Sequence, residues 1–232
     1  MTEKQFIEKL AQEGIVLSER QIQQFADYAR LLVEWNEKMN LTAITALEEI
    51  YEKHFYDCLL LHRLVNLEGS LCDVGAGAGF PSIPCKIAFP QLQVTIIEPL
   101  GKRCVFLREL CKELQLENVT ILNERAEDVA KNSMQRYDIV TARAVANLRV
   151  LSELCVPLVK VNGYFATMKG ANGLEEKQDA TKAMNILGAK FEKEDIVCLS
   201  DGANRVNILY KKIKETPKGY PRMYAKIKKN PL

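Results

Sequence analysis

The stretch Asp73-Val74-Gly75-Ala76-Gly77-Ala78-Gly79-Phe80 decides the fold class of this 232-residue chain. It follows an apolar run, residues 71–74, and precedes a segment of helical character, so its glycines lie at a predicted turn from strand to helix. Glycine at such a turn permits a positive φ and lets a ligand approach the backbone closely. Alternating glycines also occur in purely structural turns. The stretch alone therefore leaves a ligand loop and a tight turn both open.

Outward from this stretch, short apolar runs alternate with helical segments. Such alternation is typical of an α/β domain with a parallel, doubly wound sheet. The seven runs predict a Rossmann-like, seven-stranded, mostly parallel sheet whose last pair is antiparallel. The predicted strands cover residues 71–74, 94–98, 119–122, 138–141, 163–168, 195–199 and 207–213.

The ends of the chain differ from this alternating region. Residues 1–66 have helical periodicity, with Ser18 as a predicted N-cap and a further helix over residues 47–65. We therefore expect an amino-terminal helical appendage over residues 1–66 and the sheet domain over residues 67–213. Residues 214–232 contain three prolines and a glycine, and they are predicted to form a basic, irregular tail.

Acidic residues follow the glycine stretch at the ends of successive predicted strands. The spacing Gly-x-Gly-x-Gly differs from the dinucleotide fingerprint, whose glycines accompany a pyrophosphate. Glu98 ends the second predicted strand, where a carboxylate can accept both hydroxyls of a ribose, and residues 125–128 can read an adenine edge. Asp73 suits an ammonium or sulfonium cation. These features predict a class I S-adenosylmethionine-dependent methyltransferase whose cofactor contacts Gly75, Gly77, Gly79 and Glu98.

The segment after the fourth predicted strand bears on the methyl acceptor. Enzymes that methylate exocyclic nitrogens typically have Asn or Asp, two prolines and an aromatic residue there, whereas residues 138–144 read DIVTARA. Methylation at carbon 5 of a pyrimidine needs a cysteine nucleophile, and Cys85 lies in an apolar helix where core packing is expected. A ring nitrogen with a free lone pair, such as N7 of guanine, needs neither. Arg143 is left open between a ligand contact and a structural ion pair.

Composition and charge limit the other functions. Seven scattered cysteines and two histidines predict no metal site. No apolar run approaches the roughly 18 residues of a membrane span, and the amino terminus lacks a signal peptide's order, so we expect a cytoplasmic protein without a membrane partner. Residues 211–232 carry +7 within a chain of net charge +2. This basic end indicates either a polyanionic partner or a solubilising tail.

Seven motifs are spread over nearly the whole chain. They are WNEKMNLT at 35–42, KHFYD at 53–57, DVGAGAGFPSIP at 73–84, GKR at 101–103, RAE at 125–127, TARAVA at 141–146 and YPR at 220–222. Together they resemble the ribosomal RNA small subunit methyltransferase G family, also called glucose-inhibited division protein B. The resemblance implies transfer of a methyl group from S-adenosylmethionine to N7 of one guanine in bacterial 16S ribosomal RNA. It also implies small-subunit RNA or a ribosomal particle as partner.

The resemblance adds residues to the predicted site. The positions that match the family's cofactor contacts are Gly75, Phe80, Ala126, Glu127 and Arg143. Candidates for catalysis are Arg143, His54 and Asp57, with a structural role open for each. Candidates for RNA contact are Lys102, Arg103, Lys169 and Arg222, with Lys169 otherwise in contact only with solvent. Cys58 stands where relatives commonly have serine, which puts a hydroxyl-dependent role there in doubt.

Two competing functions remain open. A small-molecule methyltransferase of the same fold would keep the glycine stretch and Glu98 but would not need the basic tail. A ribosome-assembly protein that binds the cofactor without turnover would keep both features. We expect a monomer in either case.

Overall fold

Seven strands form one mixed sheet in the computed structural model, which describes residues 1–132 and 136–232. The strands are β1 Ser70–Val74, β2 Gln93–Ile97, β3 Val119–Leu122, β4 Tyr137–Arg143, β5 Val159–Lys169, β6 Ala189–Cys198 and β7 Asn204–Lys212. Their order in the sheet is β3-β2-β1-β4-β5-β7-β6; β1 to β5 are parallel, and β7 is antiparallel to both neighbours. The predicted seven strands and antiparallel last pair are confirmed.

Helices pack on both faces of the sheet, which explains why the central strands are almost wholly apolar. In β1, every residue after Ser70 is buried. The helices of this part are Ser82–Ala88, Gly101–Glu113, Ala126–Asn132, Leu148–Cys155 with a 3-10 turn at Val156–Leu158, Gly173–Asp179, Thr181–Leu187 and the tail helix Tyr224–Lys229.

The strand order reverses between β1 and β4. β1 pairs with β2 on one side and with β4 on the other, and all three run in the same direction. Their carboxyl ends therefore meet at one edge of the sheet, where connections to helices diverge to opposite sides. Open α/β sheets bind ligands in the crevice at such a point. The glycine loop, residues 75–79, leaves β1 here.

Two capped helices begin the chain, α1 (Glu3–Gln12) and α2 (Glu19–Met39). At α2, the hydroxyl of Ser18 accepts the Gln21 N–H, and the Gln21 side chain accepts the Ser18 N–H. This reciprocal capping box satisfies two backbone donors of the first turn. The predicted N-cap at Ser18 is confirmed.

A broken helix over residues 47–63 follows. It consists of α-helical Leu47–Glu49, a π-helix at Ile50–Tyr56, α-helical Asp57–Leu59 and a 3-10 turn at Leu60–Arg63. The helix that the sequence predicts over residues 47–65 is present, but it changes helix type three times along its length. Apolar spacing does not distinguish the three helix types over so few turns. π-helical turns often occur at functional sites, and this one carries His54.

The appendage and the sheet share one hydrophobic core. Phe6 and Phe25 pack edge to face, and Phe55 of the broken helix lies against Phe25 with ring centroids 5.1 Å apart. The same buried cluster contains Leu71 and Ile96 of the sheet. A second cluster fills the opposite face of the sheet. The boundary predicted near residue 66 therefore does not divide the chain into two parts with separate hydrophobic cores.

The end of the chain packs against the sheet domain, and residues 214–223 are irregular as predicted, but a helix follows them. Residues 224–229 form a short helix, and Ile227 is fully buried. The guanidinium of Arg222 pairs with the carboxylate of Glu153, which is itself buried. Apolar burial and this ion pair hold the segment in place, although its prolines prevent a longer helix. Among the described residues, no helix is long and apolar enough to cross a membrane.

Candidate functional site

The glycine loop begins where β1 ends. Gly75, Gly77 and Gly79 have φ values of 74°, 60° and 101°, which side chains other than glycine rarely adopt. The Gly75 N–H donates to the Ile97 carbonyl at 2.8 Å, and the Gly77 N–H donates to Glu98 Oε2 at 3.0 Å. These bonds hold the loop against the end of β2. The predicted strand-to-helix turn is confirmed.

Free space beside the backbone distinguishes Gly77 from Gly79. A Cβ added at Gly77 would have Arg103 Nη1 as its nearest neighbour, at 3.9 Å. At Gly79 it would lie 2.8 Å from Ile83 Cγ1 and 2.9 Å from the Tyr28 hydroxyl. Gly79 therefore permits close helix packing, and its position does not support the predicted cofactor contact. Gly77 faces open space.

A cavity of about 360 Å³ opens beside the loop, and we call it the glycine-loop pocket. It brings together four of the predicted cofactor residues, from the ends of β1 and β2 and the start of the helix after β3. A volume of this size is within the usual range of small-molecule sites. Its lining consists of Val74, Gly75, Ile97, Glu98, Pro99, Leu100, Arg103, Arg125, Ala126, Glu127, Ala144, Val145, Leu154 and Tyr224.

Glu98 is the central polar group of this pocket and is 1 % exposed. Its Oε2 accepts the Gly77 N–H at 3.0 Å, and its Oε1 accepts the Leu100 N–H at 2.9 Å. A carboxylate has about four acceptor positions, so each oxygen keeps one for a further donor. The two remaining positions fit the adjacent hydroxyls of a ribose. Arg103 Nη1 lies 3.7 Å from Oε2 and partly balances its charge.

Asp73 lies behind the loop and is fully buried. Its Oδ2 accepts the Ser82 N–H at 3.0 Å, whereas Oδ1 has no partner among the described residues. Burial raises the pKa of Asp73 to about 7 despite the Ser82 hydrogen bond. An orphaned buried acceptor fits an ammonium group brought by a ligand. Together with Glu98 and the open face of Gly77, it shows that these residues fit S-adenosylmethionine.

A second cavity, of about 570 Å³, adjoins the first, and we call it the Arg143 pocket. The two cavities share the wall formed by Ala144 and Val145, where β4 ends. Ala144 has a φ of 56°, which is strained for a residue other than glycine. The lining of the Arg143 pocket consists of Ile44, Lys53, His54, Asp57, Arg143, Ala144, Val145, Ala146, Met168, Lys169, Gly170, Glu176 and Arg205.

Arg143 ties the broken helix to the sheet. Its Nη1 donates to Asp57 Oδ2 at 2.9 Å and to the Lys53 carbonyl at 3.0 Å. The other oxygen of Asp57 accepts Arg205 Nε at 3.1 Å. One buried carboxylate thus bridges two arginines from β4 and β7. The predicted contact of Arg143 with the cofactor is not supported by this position, because Arg143 lines the neighbouring pocket.

His54 and Phe80 complete this network. The imidazole stacks on the Phe80 ring at 4.3 Å between centroids, and the Arg143 guanidinium lies 4.7 Å from the same ring. Phe80 therefore packs beneath the Arg143 pocket and does not line the glycine-loop pocket, contrary to its predicted role. Because arginine only donates, His54 Nδ1 must accept the 3.0 Å bond from Arg143, so Nε2 carries the proton and donates to the Thr42 hydroxyl at 2.9 Å.

Neutral His54 gives the protein a pH-dependent stability. Burial, reinforced by the charge of Arg143, lowers the pKa of His54 to about 3. An unfolded histidine has a pKa of about 6.5. The folded state therefore binds fewer protons between these values, and the free energy of unfolding decreases as the pH falls from 6.5 toward 3. His54→Gln should remove this contribution, of at most about 1.4 kcal/mol per pH unit, and flatten the profile.

Urea unfolding from pH 4.5 to 7.5 measures this slope. Glutamine keeps an acceptor for Arg143 but does not titrate. His62→Gln, which removes the other histidine, is the matched control and should retain the slope. Equal slopes for His54→Gln and the unchanged protein would contradict the prediction.

Three of the four predicted RNA-contacting side chains have internal partners. Arg103 points toward Glu98, with Nη1 and Oε2 3.7 Å apart. Lys169 is buried and donates to the Ala146 carbonyl and to a carboxylate oxygen of Glu176, each at 2.7 Å. Arg222 is held by Glu153. These internal partners do not support the predicted RNA contacts of Arg103, Lys169 and Arg222.

Lys102 is exposed, as RNA contact requires. Three lysines of the tail helix are exposed as well; the sequence places them in the basic tail but does not single them out as RNA contacts. They are Lys226, Lys228 and Lys229.

Sequence reasoning missed Tyr224 and Arg205. Tyr224 lines the glycine-loop pocket from the tail helix, within the segment predicted to be irregular. Arg205 completes the pairing of Asp57 from β7, although the two residues are 148 positions apart in the chain. No local spacing in the sequence signals either contact.

A larger cavity, of about 890 Å³, lies at the opposite edge of the sheet. Asp138 at the start of β4 and Lys160 near the start of β5 line it. It is remote from the carboxyl ends of the parallel strands, where such sheets bind ligands. The two smaller cavities are therefore the candidate site.

Comparison with known proteins gives both a family and a fold. The family model described as rRNA small subunit methyltransferase G matches residues 21–207. A curated protein of that name from Lysinibacillus sphaericus is 53 % identical, with all of both chains covered. The one from Bacillus subtilis is 49 % identical over all of this chain and 99 % of its own length.

Solved structures with lower identity share the sheet domain. TYW2 of M. jannaschii in complex with AdoMet has a TM-score of 0.55 at 17 % identity, covering 69 % of this chain and 76 % of its own. Precorrin-6y C5,15-methyltransferase of Geobacter metallireducens has a TM-score of 0.53 at 18 % identity, covering 72 % of this chain and 90 % of its own. These likenesses show the class I methyltransferase fold.

Proposed function

The chain belongs to the rRNA small subunit methyltransferase G family, and from that membership we propose that N7 of one guanine accepts the methyl group in its reaction. It is a methyltransferase of small-subunit, 16S ribosomal RNA, and its methyl donor is S-adenosylmethionine. The roles that we assign to individual residues rest on the geometry described above.

One observation carries the proposal: two cavities share a wall at Ala144 and Val145. Direct transfer needs a donor and an acceptor in adjacent sites, with the reacting atoms aligned. The glycine-loop pocket has lining groups that suit the donor, namely Gly75, Glu98 and Glu127. The Arg143 pocket would then receive the base, which must leave its stack to enter.

The residues of the Arg143 pocket suit an acceptor that loses no proton. When bound, S-adenosylmethionine supplies a methyl carbon attached to a positively charged sulfur. N7 of guanine attacks with its own lone pair, so the protein needs to align the base and needs no general base. His54 suits this scheme, because its lone pair at Nδ1 already accepts from Arg143. We infer that it positions Arg143 and takes no proton.

Carboxylates in the same pocket suit the charge of the product. A base methylated at N7 is cationic, and fixed negative groups near it favour that state. Asp57 and Glu176 line the pocket, although each already balances an internal cation, Arg143 or Lys169. The lining also contains Lys53 and Arg205, so the pocket keeps an excess of positive charge that suits the phosphates beside the base. We further propose a monomer that acts in the cytoplasm and requires no metal.

Mapping the modified nucleotide tests the proposal. The purified protein, S-adenosylmethionine and small-subunit particles or their RNA are incubated, and nuclease fragments are analysed by mass spectrometry. We expect one methyl group on one guanine, at N7. Methylation of another base or atom would overturn the N7 assignment. Stoichiometric cofactor binding without methyl transfer in a single turnover would favour an assembly protein, and transfer only to small molecules would favour the second competitor.

The exposed tail lysines should contribute to RNA affinity by neutralising phosphates. Lys228→Ala combined with Lys229→Ala should reduce the slope of log K against log salt by about 0.7 to 0.9 for each phosphate that is no longer neutralised. Binding titrations from 50 to 300 mM salt measure the slope. Lys112→Ala with Lys190→Ala removes the same charge from exposed positions that line neither pocket. An equal reduction in that control would contradict a local role of the tail helix.

A further inference from the structure

The tail helix forms part of the glycine-loop pocket. Tyr224, its first residue, lines the cavity together with Arg125, whose guanidinium carbon lies 5.6 Å from the centroid of the Tyr224 ring. Arg125 immediately precedes Ala126 and Glu127, which begin the helix after β3 and line the same cavity. An aromatic ring therefore lies beside the part of the pocket wall that this connection forms.

Two sets of contacts hold this ring in place. The backbone N–H of Arg222 donates to Glu153 Oε1 at 2.8 Å, and its Nε and Nη2 donate to the same carboxylate at 2.9 and 2.7 Å. Glu153 is fully buried, so the pair anchors the tail in the interior. Arg149 then donates to the carbonyls of Pro231 and Leu232 at 2.7 and 2.6 Å. The segment is fastened on both sides of Tyr224.

The surroundings of Tyr224 suit a flat heterocycle. Leu100 and Leu154 line the same cavity as apolar groups. The guanidinium of Arg125 supplies a second planar surface, and both aromatic rings and guanidinium planes stack on bases. Glu98 lines the same pocket, and we place the ribose at its two free acceptor positions. A base attached to that ribose and directed toward Ala126 would meet Tyr224.

We propose that Tyr224 is a donor-binding residue that contacts the adenine of S-adenosylmethionine, and that Arg222 positions it by docking the tail on Glu153. This inference rests on the proposed function, in which the glycine-loop pocket holds the donor. It makes the carboxyl-terminal segment a wall of the donor site in addition to its role in RNA contact.

Calorimetric titration of S-adenosylmethionine into the full-length protein tests the contact. Tyr224→Ala should weaken binding about tenfold, which corresponds to about 1.4 kcal/mol. Tyr224→Phe keeps the ring and should bind within about twofold of the unchanged protein. Met223→Ala, at an exposed neighbouring position, is the matched control and should bind normally. Equal affinity for Tyr224→Ala and the unchanged protein would overturn the proposal.

Methylthioadenosine identifies the part of the donor that Tyr224 meets, because it keeps the adenosine and lacks the amino acid end. Tyr224→Ala should weaken its binding by the same factor as it weakens binding of S-adenosylmethionine. A loss confined to S-adenosylmethionine would overturn the assignment to adenine. Should Tyr224→Ala fail to fold, Tyr224→Trp gives a second readout. Its additional indole emission, relative to the protein with Trp35 alone, should change on addition of methylthioadenosine, and an unchanged emission would contradict the contact.

Arg222→Gln tests the positioning role. It should release the tail and so accelerate tryptic cleavage after Lys226, and it should weaken S-adenosylmethionine binding without altering any group that lines the pocket. Faster cleavage with unchanged affinity would overturn the positioning role. Failure of the unchanged protein to bind S-adenosylmethionine would instead overturn the proposed function itself, so the two failures are distinguishable.

Discussion

Gly77→Val should abolish measurable binding of S-adenosylmethionine, with a loss of affinity of at least about 100-fold, or roughly 2.7 kcal/mol. Gly77 has a φ of 60°, and the nearest described atom to a Cβ added there is Arg103 Nη1, at 3.9 Å. A valine side chain would occupy the space next to Glu98 that we assign to the donor. It would also strain the turn, because a β-branched residue rarely adopts this backbone conformation. Calorimetric titration measures the affinity.

A control must show that the loss of donor binding in Gly77→Val comes from the filled space and not from backbone strain. Gly14→Val is the matched control, because Gly14 has a φ of 83° and no described atom lies within 4 Å of an added Cβ. Its N–H donates to the Ala11 carbonyl, whereas the Gly77 N–H donates to Glu98 of the pocket. Gly14→Val should lose similar stability and bind the donor normally. If Gly77→Val retains its fold and binds within threefold of the unchanged protein, the assignment of the glycine loop to the donor is wrong.

Asp57→Asn should destabilise the folded protein by about 3 kcal/mol, because removing one partner of a buried ion pair leaves an uncompensated charge. Asp57 is 2 % exposed and accepts from Arg143 and Arg205 at 2.9 and 3.1 Å. An asparagine carries no charge, and its side-chain NH2 group would point at the N–H donors of one of the two guanidinium groups, where no hydrogen bond can form. The free energy of unfolding in urea measures the effect.

The chain offers a matched control at its surface. Asp201 pairs with Lys53 at 3.0 Å but is exposed, so Asp201→Asn should leave the unfolding midpoint unchanged. The same measurement on Asp57→Asn also tests the coupling of the appendage to the sheet. A destabilisation below about 1 kcal/mol would show that the network contributes little, since typical single substitutions cost that much.

The sheet could be predicted because each strand leaves a local pattern. Strands buried on both faces, such as β1 and β4, read as continuous apolar runs. Each of the seven runs overlaps a strand, although the mostly exposed β6 begins at Ala189, six residues before its run. The positions of Gly75, Glu98 and Ala126 follow, because they lie next to the carboxyl ends of parallel strands, which meet at one edge. For these residues, position along a strand determines position in space.

Arg143 and the tail could not be placed in this way. The end of β4 borders both pockets, and the sequence contains no information on which side the long side chain of Arg143 turns. It turns toward Asp57, 86 residues earlier in the chain. The Arg222 and Glu153 pair likewise joins positions 69 residues apart, and nothing in the local composition of the tail predicts it. Side-chain contacts between residues far apart in the chain leave no periodic pattern in the sequence, so the sequence does not predict them.

The joining of the appendage to the sheet also limits how members of this family can recombine. Tyr28 donates to the Ala78 carbonyl at 2.6 Å, His54 stacks on Phe80, and Asp57 pairs with Arg143, so the first 66 residues reach the glycine loop and the end of β4 directly. A chimera that takes this segment from a half-identical relative would need compatible partners at all three contacts. We therefore expect the helical segment and the two strand ends to be inherited as one unit.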